Sequence, residues 1–356
     1  MPEQVDAQVT IMTGTEGGYV GGGAVGSRLL ANNMNVGVLR PFIGNNGRSY
    51  ITINGKNELV ANATLRKDEW KQLDDAVVAA AQQRLIGVAD LYSRGLVYRL
   101  ANGMGTTVLE TETMGDTEAA QVSMDGATRG RRDRPDFSIG YLPLPIIHKD
   151  FFLDIRTLNA SRTRGQSLDT IQAATAARKV AEKAESMLFT GLSTYTYGGG
   201  SLYGYTDHPN RNTHTLTAHW DDAGATGETI LADLLGMIQK SIDDRHYGPW
   251  VLYIPTNFQT ALGEDFKAAS DKSVRQRLLE IEGVQDIKVA DFLTADNVVL
   301  VEMTTDTVRM VEGLAIQTLE WSTEGGMILN YKVMAIMVPQ IRADYSTYCG
   351  VVHGSK

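Results

Sequence analysis

Apolar residues recur along this chain with two different periods, and the change from one to the other marks out its elements. Trp70, Leu73, Val77, Ala80, Arg84, Leu85, Val88 and Leu91 follow at three- and four-residue spacing, giving one face of a helix. Asp68 and Glu69 fall in its first turn, where carboxylates favour the positive end of the helix dipole. The pattern predicts one continuous helix over about 65–95. A second stripe, Ile171, Ala174, Ala177, Ala181, Ala184 and Leu188, begins behind Ser167 as an N-cap, with Asp169 in the first turn, and is stopped by Gly191. That helix, 168–190, would be about 33 Å long. Arg178, Lys179, Glu182, Lys183 and Glu185 occupy its other side, predicted to face solvent or another subunit. A mostly alanine stripe buries little, so the helix needs a sheet or a neighbouring chain beneath it. A third helix is predicted over Glu228 to Asp244, from Ile230, Leu231, Leu234, Leu235, Ile238 and Ile242.

The other pieces are short and extended. Leu96 to Leu100 and Thr106 to Thr113 read as strands, and Tyr141 to Ile147 is held extended by Pro143 and Pro145, with His148 to Ile155 continuing it. Trp250 to Ile254 is a strand and Phe258 to Leu262 a short helix capped by Thr256. Val274 to Ile281 is helical, and Ile287 to Val289, Val298 to Met303 and Val308 to Val311 are strands. Ala315 to Trp321 and Met327 to Val338 pair across the Thr323-Glu324-Gly325-Gly326 turn. The class is mixed α+β. Gly14 to Gly47, dense in Gly and Asn, shows neither period and reads as an adaptable arm.

Charge sharpens one region. Between the strand-like pieces and Pro135 lies a long polar stretch sorted by sign: Glu110, Glu112, Asp116, Glu118 and Asp125 precede Arg129, Arg131, Arg132 and Arg134. A polar segment of that length projects onto a partner more readily than it packs inside a domain. It is predicted to be a two-stranded loop, its arginines clamping an acidic neighbouring surface. Elsewhere the formal charge of −9 argues against a protein that wraps nucleic acid with its whole surface, so any such contact is local.

The 356 residues suffice for one large or two ordinary domains, and 43% apolar with 21% charged residues is a globular composition. One cysteine, Cys349, allows neither an internal disulfide nor a cysteine-based zinc site and fits a reducing compartment. Met1 to Thr10 carries Glu3 and Asp6 where a secretory signal would be basic, and the longest apolar runs, Val333 to Val338 and Val77 to Ala81, cannot span a bilayer. A soluble chain is expected.

Candidate chemistry does not survive its context. Gly21-Gly22-Gly23-Ala24-Val25-Gly26 fits a dinucleotide fingerprint, but no Asp or Glu occurs between Gly17 and Asn57 to hold a ribose. His208, His214 and His219 with Asp207, Asp221 and Asp222 cluster in sequence without the spacing of a helical metal pair. Adjacent carboxylates such as Asp74-Asp75, Asp221-Asp222 and Asp243-Asp244 do not face each other on a helix. Cys349 reads as a buried small residue. The expectation is a protein with no catalytic site, cofactor or metal.

The order of these elements resembles the major capsid proteins of tailed bacteriophages, the Hong Kong 97-type superfamily, and within it the branch that includes the encapsulins. Leu65 to Asp74 resembles the opening helix of that branch, and Leu142-Pro143-Leu144-Pro145-Ile146-Ile147 with Phe151 to Leu153 the strand returning from the family's extended loop. Ser167 to Gly191 is similar to its spine helix, Gly204 to Asn210 to its glycine-to-His-Pro-Asn turn, and Gly248-Pro249-Trp250-Val251-Leu252 to the strand entering its axial domain.

The resemblance implies an N-terminal arm (1–64), an N-terminal helix (65–95), an extended loop (96–140), a peripheral domain (141–211 and 311–356) and an axial domain (212–310). It implies a subunit that self-assembles into hexamers and pentamers of an icosahedral head around double-stranded DNA. That head would be a virion assembled in the host cytoplasm, with a portal and room for a decoration protein. The Gly-rich arm is too short for a fused scaffolding domain, which implies a separate scaffolding protein. No lysine lies between Ala101 and His148, which argues against a covalent crosslink from the loop. The alternative is an encapsulin compartment shell, against which stand the residues ahead of the Asp68 helix. Glu110, Glu112, Arg129, Arg131, Arg132 and Arg134 are the expected inter-subunit contacts.

Overall fold

The computed structural model describes residues 41–43, 49–53, 56–59, 67–82, 85–114, 122, 124, 137–163, 171–222, 224–267, 271–343 and 348–356. Most of the Gly-rich arm, Ser167 and Asp169 lie outside them.

Strands β1 (Pro41–Ile43), β2 (Ser49–Ile53) and β3 (Lys56–Leu59) form an antiparallel sheet ahead of helices α1 (Lys67–Gln82) and α2 (Ile86–Ser93). β4 (Val97–Arg99) is followed by β5 (Val108–Met114) and β6 (Phe137–Pro143), which make a separate two-stranded ribbon. Then come β7 (Ile147–Asp154), α3 (Ile155–Thr163), α4 (Ile171–Phe189) and a hairpin of β8 (Leu192–Tyr197) and β9 (Gly200–Leu202). β10 (Asn212–Thr215), α5 (Gly227–Asp243), β11 (Trp250–Ile254), α6 (Val274–Leu279), β12 (Val284–Val289) and β13 (Asn297–Glu302) follow. The chain closes with β14 (Val308–Thr323), β15 (Ile328–Ile341) and β16 (Val351–Ser355). Two larger sheets organise the molecule, one ordered β4-β14-β15-β7 and the other β10-β16-β13-β11-β12. Among the described residues, no helix is long and apolar enough to cross a membrane.

The five-stranded sheet is covered on both faces. Successive strand side chains point to opposite sides, so Val251, Tyr253, Val299, Val301 and Val351 enter one core with the four-stranded sheet and α4. Trp250, Leu252, Ile254, Val298, Leu300 and Val352 enter a second core against Ile230, Leu234 and Met237 of α5 and Leu278 of α6. Both cappings are local: Thr226 and Ser273 each accept from the amide three residues on, and Thr229 and Gln276 return the bond. On the four-stranded sheet, Phe151 stacks on Tyr331 at 5.0 Å, and Leu153, Leu329, Val333 and Ala335 lie in the core shared with α4.

Several expectations need correction. The helix predicted over 65–95 is two helices: Leu85 leaves the helical region (φ −96°, ψ 80°) and a new helix begins at Ile86. Period alone misses this break, because it is held by a distant side chain, Glu185, that accepts the amides of Gly87 and Val88.

Tyr141 to Ile155 is also not one strand. Pro143 and Pro145 have no amide to give a ladder, so β6 ends at Pro143 in the ribbon and β7 starts at Ile147 beside β15. Leu96 to Leu100 does not belong to the loop, since β4 runs parallel to β14. Val308 to Val311 and Ala315 to Trp321 are one strand, bulged around Gly313 where Gly103 packs against the backbone so closely that a Cβ on Gly103 would meet Gly313 O at 1.9 Å. The helix expected over Phe258 to Leu262 is two 3-10 turns, Thr256–Phe258 and Ala261–Gly263, with no cap from Thr256. The boundary drawn at 310/311 puts the last strand with the four-stranded sheet, whereas β16 pairs with β10 and β13 in the five-stranded one.

The buried face of α4 is Ala173, Ala176, Ala177, Val180, Ala181, Ala184, Met187 and Leu188, turned from the predicted stripe so that Ile171 is exposed. Glu185, expected on the side facing solvent or another subunit, is buried in it. Gly191 does end the helix region, at φ +72°, with its amide returning to Met187 O at 3.1 Å.

Candidate assembly surface

The β5–β6 ribbon places the loop's chemistry. Its register sets Glu110 opposite Tyr141 and Glu112 opposite Ile139, and cross-strand partners share a face. One face therefore carries Phe137, Ile139 and Tyr141 in a row, 61%, 52% and 41% exposed, beside the exposed carboxylates of Glu110 and Glu112. A contiguous apolar row rimmed by charge is a candidate contact surface rather than a scattering of surface apolar groups. Arg129, Arg131, Arg132 and Arg134, expected to complete the clamp, lie outside the described residues.

The ribbon's root is fixed to the body by close backbone approach. A Cβ on Gly200 would sit 2.0 Å from Tyr141 O, and one on Gly198 would sit 2.6 Å from Val108 Cγ2, so the β8–β9 hairpin seats directly on both ribbon strands. Gly198 and Gly199 hold φ of +60° and +85°, which side-chain-bearing residues rarely adopt. Beyond this seat, Leu142 and Pro143 are buried while Phe137 to Tyr141 project.

Elsewhere the chain uses buried polar bonds to lock its joints. Glu302, at the end of β13, accepts from His246 Nδ1 at 2.6 Å, Gly248 N at 3.1 Å and Thr307 Oγ1 at 2.7 Å. Burial alone would raise its pKa, but these bonds outweigh that and hold it below the ordinary carboxylate value. Asp233 accepts from Thr217 Oγ1 at 2.6 Å and Trp220 Nε1 at 3.1 Å, tying the β10–α5 connection down.

Asp90 is treated likewise: burial pushes it up, yet bonds from Lys288 at 2.7 Å, Tyr253 at 2.8 Å and Arg94 at 3.0 Å leave it lowered. Glu185 goes the other way. Burial raises it to about 7 against the lowering pull of the Gly87, Val88 and Ile86 amides.

The three histidines close together in sequence have separate partners. His208 Nδ1 accepts from Asn210 N at 3.2 Å, His214 lies 4.0 Å from Asp233, and His219 lies 3.6 Å from Asp296. His208 also faces the Cys349 sulfur at 3.8 Å. Burial, then Arg211, lowers the imidazole to about 4, and burial pushes the thiol up to about 12. At neutral pH the pair is an uncharged ring beside a protonated thiol, without the thiolate a nucleophile needs.

Sequence reasoning found Glu110 and Glu112 but passed over Phe137 and Ile139, which sit in a polar context. The signal was present as alternation: Phe137, Ile139 and Tyr141 are two apart, the period of a strand face.

Solved structures with this architecture include a virus-like particle from Pyrococcus furiosus. It is 19% identical, with a TM-score of 0.58 over 80% of this chain and 99% of that one. The capsid of Myoviridae phage XM1 is 11% identical, with a TM-score of 0.57 over 74% and 90%. These matches give the chain the Hong Kong 97-type capsid fold expected from its sequence. In sequence, the chain is 24% identical over 246 residues to the type 1 encapsulin shell protein EncA of Myxococcus xanthus (strain DK1622), which spans 67% of this chain and 73% of that protein. A family model described as a family of unknown function, DUF6260, matches residues 59–354, and the chain belongs to that family.

Proposed function

We propose that the chain is the major capsid protein of a tailed-phage head, a subunit that builds hexamers and pentamers of a closed shell around double-stranded DNA. The observation that carries this reading is the ribbon: on a capsid-type fold, Phe137, Ile139 and Tyr141 project in a row that another copy would cover. The role is assembly, not catalysis. In this reading the five-stranded-sheet unit closes the capsomer rings as the axial domain, and the four-stranded sheet with α4 forms the peripheral domain. The ribbon is the extended loop that reaches a neighbour. A scaffolding protein and a portal are separate partners, and the net charge of −9 keeps contact with DNA weak.

An encapsulin shell is the second reading, favoured by the similarity to EncA. The phage reading is preferred for two reasons. The β1–β2–β3 sheet stands ahead of α1. The Pyrococcus particle protein is matched over 99% of its length while covering 80% of this chain, so this chain carries additional material.

Expression of the chain, followed by electron microscopy and the absorbance ratio of the purified particles, separates the readings. Large shells, empty or with nuclease-protected DNA, are expected. Small shells filled with a protein cargo would transfer the assignment to an encapsulin, and a small oligomer that turns over a substrate would remove both.

A further inference from the structure

The two sheet-based units share a continuous apolar core, with Tyr253 of β11 packed edge-on to Phe189 of α4 at 5.1 Å between ring centroids. Apolar contact is non-directional, so it specifies the angle between the units less sharply than hydrogen bonds do. A set of directional bonds across this joint converges on one short helix, α2.

At its N-terminal end, Glu185 of α4 accepts Gly87 N at 2.6 Å and Val88 N at 3.1 Å. A Cβ on Gly87 would lie 2.8 Å from Leu188 Cδ2 and 2.9 Å from Phe189 Cζ, so the helix is pressed onto α4. Towards its other end Asp90, 3% exposed, accepts from Lys288 Nζ at 2.7 Å and from Tyr253 Oη at 2.8 Å. Tyr253 and Lys288 are partners in the parallel β11–β12 pairing and so present their polar ends on the same face. Arg94, one turn beyond Asp90, binds Asp90 at 3.0 Å and also reaches Gln285 of β12.

We propose that α2 is a strut that sets the angle between the two units, and that Asp90 is its positioning residue, with Lys288 its principal partner. In a shell the angle between the two units of each subunit fixes local curvature, so the strut would select one particle size. This inference rests on the shell-building reading above. Asp90 makes no contact with another copy in this account; it acts through the orientation of β11 and β12.

The test uses the full-length chain with Lys288→Met, which removes the main bond while leaving Asp90 with Arg94 and Tyr253, and with Asp90→Asn. A third variant, Val298→Ala, weakens the second core away from the strut and serves as a control for lost stability. Particle diameters are read by electron microscopy. The expected result is loss of the single wild-type size class in both strut variants, with mixed diameters or open sheets, while Val298→Ala keeps one diameter despite a lower melting temperature.

If Asp90→Asn does not fold, Lys288→Met decides on the same readout. Wild-type diameters in Lys288→Met, or equal heterogeneity in Val298→Ala, would overturn the strut alone. A wild-type chain that forms no closed particle would overturn the shell-building reading and the strut with it.

Discussion

The five-stranded sheet and the β5–β6 ribbon are built from similar strand residues and meet opposite fates. In the sheet, β11 is buried along its whole length, one set of side chains facing α5 and α6 and the other facing the four-stranded unit. In the ribbon, Phe137 to Tyr141 are exposed on every residue. An isolated two-stranded ribbon is marginally stable in water at best. This one is held by its glycine-seated root and leaves its apolar row open. In the proposed reading, the contrast separates what the chain completes by itself from what it leaves for another copy.

Substitutions in the two regions should therefore divide cleanly between folding and assembly. Leu300→Ala opens a cavity in the second core, where the side chain is fully buried. It should cost about 4 kcal/mol, measured by urea unfolding of unassembled subunits.

A smaller, pH-dependent effect is expected at Glu185, whose titratable neighbours are Asp291, Tyr205 and Tyr253. Its folded pKa is raised from 4.5 to about 7, so its contribution to stability is full below the unfolded value and is lost as pH rises through the folded one. Wild type should lose about 3 kcal/mol relative to Glu185→Gln between those limits. Unfolding of both proteins at pH values spanning 4.5 to about 7 measures it, and equal pH slopes would refute the buried-acid account. Serine at Phe137 and Ile139 lies at the small end for stability, within about 0.5 kcal/mol of wild type.

The same contrast explains what could be read in the sequence. Trp250 to Ile254 was legible because five apolar residues stand between two prolines, and the β14–β15 hairpin because its turn carries Gly325 and Gly326 at positive φ. α5 is legible to within a residue from its apolar period alone.

The errors arise where one residue answers to a partner far along the chain. The break before α2 depends on Glu185, 98 positions from Gly87. Glu185 looked solvated because its helical neighbours are charged. β16 joins the five-stranded sheet although it falls within 311–356; its five residues carry no mark of which edge they will join. For the ribbon, Glu110 and Glu112 stood out by charge. Their place beside Ile139 and Tyr141 follows from a register that only the paired strands define.

In the proposed reading, a second copy covers the open ribbon face during shell formation. Its most direct test is sedimentation and electron microscopy of the Phe137→Ser/Ile139→Ser chain beside wild type, with thermal unfolding of each. The account predicts closed particles from wild type and none from the variant, with the variant subunit unfolding at the wild-type temperature. Normal particles from the variant would contradict it.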